Sequence, residues 1–109
     1  MSEARSLYKQ GFAAFTDGDT ETALSKYREA IALDPELAIA WNALSLALRK
    51  SGDIDGALDA ARRLIELEPD DALSHTNLSI LLQMKGMIPE AEDAKAQAMQ
   101  LEMKANRNR

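Results

Sequence analysis

Residues 41–69 read WNALSLALRKSGDIDGALDAARRLIELEP, and the order of features in this stretch decides the fold. Trp41, Leu44 and Leu48 fall at helical spacing and form an apolar stripe. Ser51-Gly52-Asp53 interrupts it with turn chemistry: glycine accepts positive φ and the polar side chains cap the next helix. Ala57, Leu58, Ala61, Leu64 and Ile65 then mark a second amphipathic helix, and Pro69 follows it. The same order stands 34 residues earlier and 34 residues later, around Gly18 and Gly86. Five residues past each glycine is Ala23, Ala57 or Ala91, and ten further is Leu33, Leu67 or Leu101. Pro35 and Pro69 come two residues later, with Met103 in that place in the third copy. The chain is about three copies of one supersecondary unit.

Working outward, the first copy predicts a helix capped by Ser2 and running to about Asp17, with Leu7, Gly11, Ala14 and Phe15 on one face. A second helix is expected from about Thr20 to Leu33, striped with Ala23, Leu24, Tyr27, Ala30 and Ile31. Copy two predicts helices over roughly 37–50 and 54–67. Copy three places Leu78, Leu81 and Leu82 on its first helix, with Pro89 opening the last one. Pro35 is expected in the first turn of the following helix, where its missing N–H is harmless. The last helix thins to Ala91, Ala94, Ala98 and Met99, with Lys95 in the column of Tyr27 and Ala61. A more polar helix suits the open end of a stack.

Composition bounds the function. At 109 residues the chain is one domain by length, and 5% aromatic content leaves Leu, Ile and Ala to fill the core. A formal charge of −5 argues against a nucleic-acid footprint. No cysteine is present, which excludes disulfide and thiolate chemistry. The start, Met1-Ser2-Glu3-Ala4-Arg5, shows no secretory signal, and no run approaches the ~18 apolar residues of a membrane span. The expectation is a cytoplasmic protein that contacts neither nucleic acid nor membrane.

The units resemble the tetratricopeptide repeat, whose pattern is W-x₂-L-G-x₂-Y…A-x₃-F…P at a 34-residue period. Copy two reads Trp41-x₂-Leu44-Ser45-x₂-Leu48…Ala57-x₃-Ala61…Pro69. Copy one reads Leu7-x₂-Gln10-Gly11-x₂-Ala14…Ala23-x₃-Tyr27…Pro35, and copy three His75-x₂-Leu78-Ser79-x₂-Leu82…Ala91-x₃-Lys95…Met103. The resemblance implies an all-α, right-handed α-solenoid of three helix-turn-helix repeats and six helices. Its repeats fall at about 4–37, 38–71 and 72–105, in one domain over 1–103 with a basic tail at 104–109. Gly11, Ser45 and Ser79 are small enough for close helix approach, and the first helix of each pair is expected on the concave wall.

No catalytic constellation is visible, and neither cofactor nor metal is expected. His75, the only histidine, falls in the packing column of Leu7 and Trp41. The acidic turn Glu68-Pro69-Asp70-Asp71 lacks the glycine and spaced oxygens of a calcium loop, and acids are favoured at a helix N-terminus by the dipole.

Family geometry implies a groove built from set positions of each first helix. Copy one supplies Arg5, Tyr8, Lys9, Phe12 and Phe15; copy two Ile39, Asn42, Ala43, Leu46 and Arg49; copy three Leu73, Thr76, Asn77, Ile80 and Gln83. These positions carry three cations and no carboxylate, whereas removing Lys104, Arg107 and Arg109 leaves 10 basic against 18 acidic residues on the repeats, a net of −8. Such a groove should prefer a protein or peptide with apolar anchors and an acid or C-terminal carboxylate. Asn42 and Asn77 are candidates to hydrogen-bond its backbone. The alternative is that Tyr8, Phe12 and Phe15 simply pack against a neighbouring helix. Family members that bind heat-shock chaperone tails use Lys, Asn, Asn, Lys and Arg at positions matched here by Tyr8, Phe12, Ala43, Leu73 and Asn77, so the resemblance implies no tail binding of that kind. The reading is a protein–protein interaction module, an adaptor or chaperone-like scaffold. Its competitor is a structural protein that forms homo-oligomers through the groove or a terminal helix.

Overall fold

The computed structural model describes residues 2–108, which form six helices with no strand among them. They are α1 (Glu3–Thr16), α2 (Thr20–Leu33), α3 (Ala38–Ser51), α4 (Ile54–Leu67), α5 (Ala72–Met84) and α6 (Ile88–Arg107). The three turn glycines explain the pairing. Gly18, Gly52 and Gly86 have φ of 85°, 91° and 83°, a left-handed conformation that side chains with a Cβ resist. Each lets the chain fold back so that the next residue's N–H reaches the carbonyl five residues earlier: Asp19 to Ala14, Asp53 to Leu48 and Met87 to Leu82, all at 2.9 Å.

Helix starts use short acceptors. Ser2 accepts from the Arg5 N–H at 3.1 Å, Asp19 from Thr22 at 3.2 Å and Asp53 from Gly56 at 2.9 Å. Hydrogen bonding by the Thr22 side chain, then by its backbone, holds the Asp19 carboxyl below the usual carboxylate range. Pro35 corrects the expectation of a proline inside the helical first turn, and Pro69 sits in the same way. Each occupies the second place of a tight turn, closed by Leu37 N–H to the Asp34 carbonyl (3.1 Å) and Asp71 N–H to the Glu68 carbonyl (3.2 Å). The proline carbonyls then serve as acceptors: Trp41 Nε1 donates to Pro35 O at 2.7 Å, and His75 Nε2 lies 2.8 Å from Pro69 O. The buried His75 is therefore the third repeat's counterpart of a structural tryptophan.

Within each pair the helices lie close because small residues face each other. Ser45 Oγ donates to the Ala57 carbonyl at 3.0 Å and Ser79 Oγ to the Ala91 carbonyl at 2.8 Å, both buried, joining the two helices of a repeat. Ser79→Ala should destabilise the chain by about 1 kcal/mol, measured by urea unfolding. Packing then runs from neighbour to neighbour, α2 on α3 and α4 on α5, with α1 also reaching α3. A single buried cluster from Ala23 and Tyr27 through Leu44, Leu48, Leu58 and Ala61 to Leu81, Leu82 and Ala91 threads all three repeats. The result is a right-handed α-solenoid measuring 36 × 34 × 22 Å.

α6 is 20 residues long and takes in Lys104 and Arg107, cations in its last turn. Arg109, the end of the expected tail, lies outside the described residues, as does Met1. Met99, placed on the buried stripe by its spacing, is 55% exposed; only Ala91, Ala94 and Ala98 of that stripe are buried.

Candidate functional groove

Two hollows open beside the first helices of the repeats. The first, about 120 Å³, is lined by Tyr8, Phe12 and Phe15 of α1, Ile39, Asn42, Ala43 and Leu46 of α3, and Tyr27 of α2. The second, about 240 Å³, is lined by Ala38, Ile39, Asn42, Leu64, Glu68, Asp71, Leu73 and Ser74. Ile39 and Asn42 belong to both, so the hollows form one continuous trough. Thr76, Ile80 and Gln83 line a separate hollow between α5 and α6. Arg5, Lys9 and Arg49 line neither hollow.

The three aromatics of α1 divide in role. Tyr8 and Phe15 are half-buried and pack on the core, as the packing alternative expects. Tyr8 stacks on Tyr27 with ring centroids 6.0 Å apart, and Lys50 Nζ sits 4.9 Å above the Phe15 ring as a cation–π contact. Phe12 is 54% exposed, tilted against Tyr8 at 6.3 Å. It is the most exposed of the three rings. Leu73 is more exposed still, at 74%. Burial raises the Tyr27 hydroxyl above the usual phenol range, with Tyr8 adding to the shift, so the floor of the first hollow is neutral.

The polar groups differ from expectation. Asn77 donates its amide to Ser45 Oγ at 3.3 Å across the repeat junction, and Thr76 Oγ1 donates to the Ala72 carbonyl at 3.2 Å. Asn42, which lines both hollows, has no such bond among the described residues. Glu68 and Asp71, from the turn before α5, line the second hollow and place carboxylates at that end of the trough. Asp71 is held there by its capping role, accepting from the Leu73 N–H at 3.3 Å and from Ser74 Oγ at 2.8 Å. Tyr27, Glu68 and Asp71 were not among the predicted positions because they come from outside the first helices. Among the described residues, no group of three His, Cys, Asp or Glu side chains is placed to hold a metal ion, and no helix is long and apolar enough to cross a membrane. A shallow hollow of about 580 Å³ runs along α2 alone, lined by Glu21, Leu24, Ser25, Arg28, Glu29 and Ala32.

Stacked helix pairs presenting a side-chain-lined trough define an α-helical repeat protein. A model of the tetratricopeptide repeat matches residues 3–72 and again 42–105, and the chain belongs to that family. A comparison with curated protein sequences finds no match. Among solved structures, a crystal structure of MamA is 26% identical and superimposes with a TM-score of 0.93, covering 95% of this chain and 61% of that one. This chain thus spans about three-fifths of the MamA chain. A CopN–Scc3 complex (24% identity, TM-score 0.87, covering 93% of this chain and 61% of that chain) shares the fold. So does the second TPR of Spaghetti (RPAP3), solved bound to the HSP90 peptide SRMEEVD (21% identity, TM-score 0.86, covering 92% and 93%).

Proposed function

We propose that this chain is a protein–protein interaction module, an adaptor or chaperone-like scaffold, that holds a short segment of a partner protein in the trough. The observation that carries this is the first hollow. An open cup is walled by Tyr8, Phe12, Ile39 and Leu46, with Phe12, Ile39 and Leu46 at 54, 42 and 38% exposure. Contiguous exposed apolar surface of this kind marks interaction sites. The partner's apolar anchor fills the cup. Its acid or terminal carboxylate points toward Arg5 and Lys9, which lie within one helical turn of Tyr8 and Phe12, and away from Glu68 and Asp71. Tails of the HSP90 type are not the proposed ligand: Tyr8, Phe12, Ala43 and Leu73 supply none of the clamp's charged or amide groups, and the Asn77 amide is already donated. The chemistry of the trough is that of recognition, and no catalytic role is proposed.

A synthetic peptide library probed with the pure chain tests this. Selected peptides should carry an apolar anchor beside an acid or free carboxylate, with affinity on the order of micromolar. Phe12→Glu should weaken them about 30-fold while the circular dichroism spectrum stays unchanged. Equal binding by the variant would remove the cup from the argument.

A further inference from the structure

The outer face of α6 is a helix seat like those that hold the stack together. The hollow of about 280 Å³ beside it is lined by α5 and by Lys95, Ala98, Met99 and Glu102. Shifted back by 34 residues, these α6 positions are Ala61, Leu64 and Ile65 of α4 and its C-cap Glu68, and α4 is a helix on which α5 packs. No residue among 2–108 covers this seat, and Ile80 (41%), Met99 (55%) and Met103 (58%) stand exposed around it.

We propose that its occupant is α6 of a second copy, laid antiparallel across a two-fold axis. This surface is separate from the trough, so the proposal does not depend on the peptide-binding reading. Two observations select this partner. First, the opposite end of the stack is polar. Leu37 and Ala40 pack with Ala4 and Ala30 of the first repeat, and Leu44 and Ala47 are buried. The same columns in α1 hold Glu3, Ser6, Gln10 and Ala13. A head-to-tail contact repeating the internal junction would seat Glu3 on Ala98, one turn from Glu102, and would bury Gln10 where the interior buries Leu44. The tail end therefore matches itself, which gives a closed dimer and not a fibre.

Second, α6 is complementary to its own reverse. Its start is acidic (Glu90, Glu92, Asp93) and its last turn basic (Lys104, Arg107). Antiparallel pairing sets opposite charges together, whereas parallel pairing would set like on like. With Met99 near the axis, Lys95 of each copy meets Glu102 of the other, and neither side chain has an ion-pair partner within the described residues. The 20-residue helix is about 30 Å long, enough for a seam that includes Ile80 from each α5.

Sedimentation velocity over a concentration series tests the seam through charge reversal at two exposed positions. Wild type should show a monomer–dimer equilibrium. Lys95→Glu makes the seam wholly acidic at these positions and Glu102→Lys wholly basic, so each variant alone should dimerise at least about tenfold more weakly. Mixed together the two should form a heterodimer, and the double variant K95E/E102K should return to wild-type behaviour. A monomeric wild type, single variants that dimerise like wild type, or a mixture that stays monomeric would each overturn the proposal.

Discussion

Tyr27→Ala is expected to destabilise the chain by about 3–5 kcal/mol and Gly11→Ser by about 1–3 kcal/mol, yet the double variant should cost less than the sum. A Cβ built on Gly11 falls 2.6 Å from Tyr27 Cε1 and 2.7 Å from Cδ1, closer than side chains tolerate. The ring has nowhere to go, because Tyr27 is 1% exposed and stacked on Tyr8. In an unobstructed helix, replacing glycine would instead gain up to about 1 kcal/mol from propensity. The second repeat shows the other solution at the same two columns: Ser45 and Ala61, both fully buried, with the serine hydroxyl reaching across to the Ala57 carbonyl. Gly11→Ser with Tyr27→Ala transplants that pairing into the first repeat. A coupling of about 1–3 kcal/mol, read from urea midpoints of the four proteins, is the expected result. Strict additivity would show that the close contact is not what fixes the glycine.

These columns also show what a sequence can disclose. Helix limits were legible because they are set locally: Gly52 needs its left-handed φ, and Asp53 caps the helix at its own position. Expected and observed bounds coincide for α2 and α4. The groove was legible only along the first helices, whose 34-residue spacing assigns each side chain a face. Glu68 and Asp71 enter from a turn, and Tyr27 from a second helix, so their presence depends on how the next repeat lies. Asn77 reads as a free amide until Ser45, 32 residues away, is placed beside it. The turn at Pro35 was misplaced for a related reason. Proline fits both a helix's first turn and the second place of a tight turn, and the hydrogen bonds to the Asp34 and Glu68 carbonyls decide between them.

Leu81→Ala is expected to lower stability by about 2–5 kcal/mol, with the loss concentrated in the third repeat. Leu81 is fully buried, and its counterparts in α3 and α1 are Ala47 and Ala13. The two junctions trade volume. The first combines the large Tyr27 with Ala47, and the second combines Ala61 with Leu81, all in one buried cluster. Truncating Leu81 leaves small residues on both sides of the second junction, and a helical stack relaxes little across such a gap. Because packing passes from neighbour to neighbour, α1 to α4 keep their own contacts when α5 loosens. The third repeat has little reserve, since α6 contributes only Ala91, Ala94 and Ala98 to the buried side. Hydrogen exchange should therefore quicken across α5 and α6 while α2 and α3 stay protected, so one unfolding free energy would not describe the variant. Equal acceleration in all six helices would instead mean that the stack melts as one unit, and that its cooperativity reaches beyond adjacent repeats.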